Sequence, residues 1–336
     1  MITAIIRLGA AAARIARLVV PDPFVIALLL AAITLVAGIA LGQRPPLEVV
    51  RSFAFGFLET PNIAFAFQMV LVLLTGSAIA QAPVVDRLLR RLADAPTSSA
   101  GAAAMVAAVS MATTLFNWGL GLVVGAVLVR EVGRSFKRRG LPLAYGVTGA
   151  AGFIGIAIWH GGLSGSAPLK VAVDGPFGAA IPVSATLLSP LNLVVELLVF
   201  VAFTALFAAL GRSPPGIDEG TPPPPTPSPE DDERPVGAER LERAVWVLPL
   251  VVVPIVIALV AVAAAKGVGA ITLDSVILLF FVTGMVLHRS PRAYARAFAD
   301  GARERAGILL QFPLYFGVVA AARDSGLVVS VAHTFT

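Results

Sequence analysis

Long apolar stretches alternate with short polar or basic stretches along most of the chain of 336 residues. A helix needs about 20 consecutive, mostly apolar residues to cross a hydrocarbon core about 30 Å thick. The stretches approach or reach this length, and they predict an all-α polytopic membrane protein. The predicted spans lie at about 24–41, 63–80, 187–210, 245–265, 273–287 and 306–322.

One apolar stretch, residues 101–129, has basic residues at both ends. Arg87, Arg90 and Arg91 precede it, and a cluster from Arg130 to Arg139 follows it. One crossing would place one cluster outside the cell, against the positive-inside rule. Two crossings would leave about 14 residues for each arm, which is too short. A re-entrant hairpin with its tip at Asn117-Trp118-Gly119 satisfies both constraints, and one long kinked span is the alternative.

A second interruption lies in a predicted broken helix at 143–173. The run from Gly161 to Ser166 is too rich in glycine and serine to continue a helix comfortably. At membrane depth, broken backbone survives only where protein or a water-filled cavity covers it. Discontinuous helices offer free N–H groups and hydroxyls, so the two breaks indicate a site for a small anion and a coupling ion.

The other segments predict the topology. Residues 1–20 are expected to form an amphipathic helix at the cytoplasmic interface, and no cleavable signal is apparent. Asp174-Gly175-Pro176 predicts an outer turn. Residues 212–244 are rich in proline and acidic residues, which is typical of a solvated cytoplasmic linker. With the N-terminus in the cytoplasm, every basic cluster falls on the cytoplasmic side.

Composition narrows the class of protein. The chain is 57% hydrophobic and 13% charged, whereas soluble domains carry about 25% charged residues. Absence of cysteine excludes disulfides and thiolate metal sites. The net charge of +5 comes from arginines at segment ends, so it does not indicate nucleic-acid binding. The three histidines show no metal-binding spacing, no carboxylate dyad is visible, and no P-loop is present, so neither an enzyme nor ATP-driven transport is predicted.

An internal repeat is the next feature. The eleven residues from Pro46 to Gly56 align without a gap with those from Pro291 to Gly301, with identical Pro, Arg, Phe, Ala and Gly. The predicted topology places the two copies on opposite sides of the membrane, as in inverted-repeat transporters. The first repeat is assigned to 21–211 and the start of the second to 245–336. The second copy lacks a counterpart of the hairpin and broken helix, so we expect a C-terminally truncated chain with an incomplete second repeat.

These motifs resemble the short-chain fatty acid transporter family, the acetoacetate and butyrate permeases of bacteria. The matching motifs are Pro21-Asp22-Pro23, Gln68-Met69, Thr75-Gly76, Asn117 to Ala126, Gly161 to Ser166 with Pro168-Leu169, His288 with Pro291 and Tyr294, and Gln311-Phe312-Pro313. The resemblance implies uptake of short monocarboxylates through the bacterial inner membrane, by a fold that uses re-entrant hairpins. His160, Lys170 and the absence of a second Gly-rich motif depart from the family pattern.

The candidate substrate and ion site takes its residues from both breaks and from two glutamines at equivalent positions of the repeat. They are Asn117, Trp118, Gly119, Gly161, Gly162, Ser164, Gly165, Ser166, Gln68 and Gln311. Side-chain donors and amides next to glycine suit a carboxylate. Other roles remain open: Asn117 as a helix cap, and Gly121 and Gly125 as packing residues.

Three ionisable residues within or near the membrane are further candidates. His160 and Lys170 could supply positive charge, although Lys170 could instead reach the outer interface. Glu196, in the middle of a span, could pair with one of them or carry a proton.

The sequence therefore predicts a secondary active transporter for short-chain fatty acids, driven by a Na⁺ or H⁺ gradient and without a bound cofactor. Its partners would be the carboxylate, the lipid bilayer and, in a homo-oligomer, further copies of itself. A truncated remnant without transport activity, or an interaction protein, is the alternative.

Overall fold

The computed structural model describes residues 18–173, 179–212 and 239–332, with side chains up to Ser330 in the last range. Regular structure in these ranges is helical, and six of the helices are long and apolar enough to cross a membrane. This confirms the predicted all-α polytopic membrane protein. Most of the predicted amphipathic helix at 1–20, the turn at 174–176 and most of the linker at 212–244 lie outside the described residues.

Most of the described helices are joined to the next by short connections. In chain order they are α1 (Pro23–Leu41), α2 (Pro46–Gly56), α3 (Thr60–Ala80), α4 (Pro83–Asp94), α5 (Ser99–Phe116), α6 (Trp118–Arg139), α7 (Tyr145–Phe153), α8 (Ser166–Val171), α9 (Pro190–Leu210), α10 (Glu239–Glu242), α11 (Pro249–Lys266), α12 (Leu273–His288), α13 (Pro291–Asp324) and α14 (Leu327–Ala332). Short 3₁₀ turns lie at Ile154–Ala157, Trp159–Gly161, Val183–Ala185, Val245–Val247 and Gly267–Ala270.

Local sequence explains where several spans begin. Proline suits the first turn of a helix because its φ is already helical and its missing N–H has no partner there. Pro23 and Pro190 open α1 and α9 in this way. The residue before each proline is a side-chain cap: Asp22 accepts from the Phe24 N–H at 2.8 Å, and Ser189 accepts from the Asn192 N–H at 3.2 Å.

The two arms of the predicted hairpin are longer than expected. Helix α5 has 18 residues and α6 has 22, which corresponds to about 27 and 33 Å. The predicted length of about 14 residues for each arm was therefore wrong. The basic residues that were taken to follow the second arm are part of its helix, and two of them pair with acidic residues. Arg134 pairs with the buried Glu131, and Arg138 lies 3.0 Å from Asp94.

The end of α4 is tied to α6 by the same ionic group. The Ser135 hydroxyl donates to the Asp94 carboxylate at 2.5 Å, and Arg139 donates to the Asp94 carbonyl at 3.1 Å. The hydrogen bond from Ser135, with Arg138 and Arg139 nearby, lowers the pKa of Asp94 below its usual value. These contacts bring the two basic clusters, before and after the hairpin, together at one end.

One predicted loop is also helical. The sequence predicts a loop between the spans at 273–287 and 306–322, but α13 runs from Pro291 to Asp324 without a break. Only Arg289, at φ 59°, and Ser290 separate it from α12. Apart from Arg289, the arginines taken as loop residues lie in the first half of this long helix, where Arg292 reaches Glu239 at 2.9 Å.

The chain divides into two compact units. Of the described residues, one unit contains 18–70 and 302–332, and the other contains those between 71 and 301. In the second unit, α5 presents a face of small residues to α6 and α7, with Ala103, Ala107 and Ser110 fully or almost fully buried. Small residues allow helices in a membrane to approach closely. This face forms the core around which the two breaks are arranged.

The two aligned copies of the repeat share a proline at a helix start and a closely packed glycine. Pro46 opens α2 and Pro291 opens α13. In the first unit, a side chain at Gly56 would collide with Ala320, and in the second unit a Cβ at Gly301 would lie 2.9 Å from the Ser77 hydroxyl oxygen. Equivalent glycines thus make equivalent close contacts. An internal repeat predicts this pattern, although the copies differ where α2 ends at Gly56 and α13 continues.

Candidate functional site

The two breaks are hydrogen-bonded to each other. Asn117 joins α5 to α6 in an extended conformation, with φ −155° and ψ 120°. The Trp118 N–H donates to the Ser164 hydroxyl at 2.9 Å, and the Leu163 N–H donates to the Leu115 carbonyl at 2.7 Å. Both connections satisfy backbone groups that the breaks release. The hairpin tip and the broken helix therefore form one structural element.

Asn117 holds this element to α3. Its side chain is fully buried. The side-chain oxygen accepts from the Leu120 N–H at 2.9 Å, which caps α6, and the amide nitrogen donates to the Val72 carbonyl at 3.0 Å. A Cβ at Gly76 would collide with this amide. The geometry thus shows Asn117 as a cap, which was its alternative role, while contact with a substrate stays a prediction.

The broken helix is interrupted by tight backbone contacts. After α7 the chain passes through two 3₁₀ turns, becomes extended at Gly162, and resumes as α8 with a bend of 40° between the halves. A Cβ at Gly162 would collide with the backbone of Leu115, and one at Gly165 with the carbonyl of His160. Only glycine allows these approaches.

Predicted backbone donors are already used. The amides of Gly161, Gly162 and Gly165 were expected to be exposed to a carboxylate. They donate instead to the carbonyls of Ile158, Trp159 and Gly162 at 2.9–3.2 Å. In this conformation these three amides are not available to a carboxylate.

The glycines of the Gly-x-x-x-Gly pair serve packing. Gly121 lies against Thr114, and Gly125 lies against the carbonyl of Gly152, with no room for a side chain at either position. Gly119 packs in the same way on the backbone of Leu73. The packing role considered for Gly121 and Gly125 is therefore the one that the structure shows.

Helix α9 supports the broken segment through two polar residues one turn apart. The Asn192 side chain donates to the Gly161 carbonyl at 3.1 Å and to the Leu187 carbonyl at 2.9 Å. The Glu196 carboxyl lies directly on Gly161, where a Cβ would collide with it. No role was predicted for Asn192. The available signal was the spacing of four residues, which puts two polar side chains on one face of an apolar span.

A cavity of about 310 Å³ lies beside the joined breaks. Its walls are apolar except for backbone of the broken segment and the carboxyl of Glu196. The residues that line it include Leu115, Phe116, Gly161, Leu187, Phe200 and Glu196. The Glu196 Oε2 atom is buried without a hydrogen-bond partner in the described part of the chain. The cavity thus joins an apolar volume to one acid group.

An aromatic row lies along the breaks. Trp118 meets Trp159 edge-on at 5.7 Å between ring centroids, and Trp159 lies 3.8 Å from the ring of His160. The indole Nε1 of Trp118 is buried and has no acceptor within the described ranges. His160 and Lys170 are both exposed. Trp118 therefore offers a donor that the protein itself does not use.

Comparison with known proteins identifies the family. The family described as Short chain fatty acid transporter matches residues 4–335. The chain belongs to the short-chain fatty acid transporter family. It is 34% identical over 317 residues to the "Putative short-chain fatty acid transporter" of Escherichia coli K12, and 31% identical over 323 residues to the protein of the same name from Haemophilus influenzae Rd. Each alignment covers 91% of this chain and 70% of the relative. No solved structure matches the chain.

Within this family member, the predicted site residues divide between the units. Residues of both breaks lie together in the unit of residues 71–301, whereas Gln68 and Gln311 belong to the other unit. The Gln311 side-chain oxygen accepts from the Tyr315 hydroxyl at 2.9 Å. The membership shows a membrane transporter rather than an enzyme, and we consider the joined breaks and their cavity as its candidate site.

Proposed function

We propose that this chain is a secondary active transporter that moves short-chain monocarboxylates across the bacterial inner membrane, driven by an ion gradient. The observation that carries the proposal is the cavity beside the joined breaks. Its apolar walls suit a short alkyl chain, and its polar end suits a carboxyl group.

A substrate bound in this cavity would lie next to the hydrogen bonds that join the two breaks. Ser164 and Leu163 connect the broken helix to the hairpin tip by hydrogen bonds, so a shift of one break would disturb the contacts of the other. Joined discontinuous helices near the bilayer midplane are the usual site of substrate and ion binding in secondary transporters. The family membership supports the same substrate class.

Uptake in proteoliposomes tests the proposal. Purified protein is reconstituted with internal unlabelled acetoacetate, and entry of external labelled acetoacetate is followed. We expect exchange well above that of protein-free liposomes, which measure passive entry of the neutral acid. Inhibition of this entry by unlabelled butyrate, but not by an amino acid with a long apolar side chain, supports the substrate class. Exchange no faster than in protein-free liposomes would sink the proposal.

A further inference from the structure

Glu196 occupies an unusual position in α9. It is the seventh residue of this helix, about 10 Å along the axis from its start and about 21 Å from its end. Apart from Asn192, one turn before it, its neighbours on the helix are apolar, and an ionised carboxyl group within a membrane span is costly unless it is paired. Glu196 lines the cavity, and its carboxyl group rests on Gly161.

Among the described residues, the elements packed against Glu196 contribute few titratable groups. Helix α9 packs on α5, on α7 and on the turn Trp159–Gly161. Helix α5 contains no titratable residue, α7 contributes Tyr145 at its start, and the turn contributes the exposed His160. The Oε2 atom has no hydrogen-bond partner among the described residues. An unpaired carboxyl group in apolar surroundings is held in its neutral, protonated form.

A protonated carboxyl group is a hydrogen-bond donor. The amides of Gly161, Gly162 and Gly165 are occupied, so a protonated Glu196 would supply a donor to a substrate carboxylate in the cavity that these three amides do not. Hydrogen bonds between an acid and a carboxylate are short and strong. An ionised Glu196 would repel the same substrate, since two adjacent carboxylates cannot both remain charged in a site of low dielectric.

We propose that Glu196 binds the proton that travels with the substrate, so that the protein carries one carboxylate and one proton together. This inference rests on the proposed function, because it names the coupling ion of the same site. The proton stays on Glu196 while the carboxylate is bound. It leaves to water after the carboxylate leaves, when the cavity is hydrated.

The first test measures the affinity for butyrate from pH 6 to pH 10 in detergent. Carboxylic acids ionise near pH 4, so the charge of butyrate is constant over this range. We expect the wild-type affinity to be constant at low pH and then to fall by up to tenfold per pH unit, the limit for one proton. In E196Q the amide replaces the neutral acid, and the affinity should not vary with pH. The matched variant H160Q should keep the wild-type slope.

The second test needs no substrate. Infrared difference spectra between neutral and alkaline pH should show the carbonyl band of a protonated carboxyl group in the wild type, and E196Q should lack this band. E48Q, which alters an exposed glutamate, should retain it. Absence of the band in the wild type overturns the inference even where E196Q does not fold. Failure of butyrate and acetoacetate to bind the wild type, with the band present, counts against the proposed function alone.

Discussion

The backbone N–H of Trp118 donates to the hydroxyl of Ser164 over 2.9 Å, although the two residues are 46 positions apart in the chain. Ser164 is fully buried. The hydroxyl thus supplies an acceptor for the first free N–H group of α6, a role that water would fill in a soluble protein. This hydrogen bond makes the hairpin tip depend on the broken helix.

Replacement of Ser164 by alanine tests this dependence. The variant removes the acceptor and leaves the Trp118 N–H without a partner, which costs about 1–3 kcal/mol. We expect S164A to unfold at a lower temperature in detergent and to exchange substrate more slowly. T283A is the control, because the Thr283 hydroxyl bonds only to a carbonyl of its own exposed helix surface. Equal melting temperatures for S164A and the wild type would contradict the linkage.

Part of this arrangement was readable from the sequence. Hydrophobic length gives the spans, since the bilayer fixes how many apolar residues a helix needs. Glycine and serine at 161–166 give the break, since such residues do not favour helix in an apolar stretch. The contact partners were not readable, because hydrogen bonds such as Leu163 to Leu115 depend on how distant segments pack. The helical continuation through Arg130–Arg139 was also hidden, since contacts such as that of Arg138 with Asp94 join residues of two different helices.

Gly162 and Gly149 form a matched pair for a second prediction. A methyl group added at Gly162 would collide with the backbone of Leu115. A methyl group added at Gly149 would have no neighbouring atom of the described chain within 4 Å outside its own helix backbone. Overpacking of this kind costs about 1–3 kcal/mol, whereas alanine in a helix is favoured over glycine by about 1 kcal/mol. We expect G162A to lower the melting temperature and substrate exchange, and G149A to maintain or raise the melting temperature. If the two variants melt alike, Gly162 does not need the close approach to Leu115.

Asp94 predicts a pH dependence of stability. Its pKa is lowered in the folded protein, first by the hydrogen bond from Ser135 and further by Arg138 and Arg139. The charged Asp94 therefore stabilises the folded protein at pH values above 3.8, the pKa of this group in the unfolded chain. This stabilisation is lost as the pH falls through the lower pKa of Asp94 in the folded protein. Because Asp94 is largely exposed, we expect less than about 1 kcal/mol.

The measurement compares melting temperatures of D94N and the wild type from pH 7 downwards. D94N should melt at a lower temperature at pH 7, and the difference should shrink below pH 4 as the wild-type carboxylate becomes protonated. A difference that stays constant at acidic pH would show that Asp94 acts without its charge.

The absence of cysteine makes the topology directly testable, since any introduced thiol is the only one in the chain. Arg91 and Lys137 are exposed and lie on either side of the hairpin. A hairpin, whether re-entrant or crossing twice, places both on one side, which the predicted topology assigns to the cytoplasm, because its two ends leave the membrane on the same side. We expect R91C and K137C to react with a membrane-impermeant maleimide in inside-out vesicles but not in intact cells.

The first copy of the repeat supplies the opposite control. Arg44, in the loop before α2, is exposed, and the predicted topology places it outside. R44C should therefore react in intact cells. The alternative of one long kinked span puts Arg91 and Lys137 on opposite sides of the membrane. Labelling of R91C from one side and K137C from the other would thus replace the hairpin with a crossing, and would move the Trp118–Ser164 hydrogen bond from a re-entrant tip to the middle of a span.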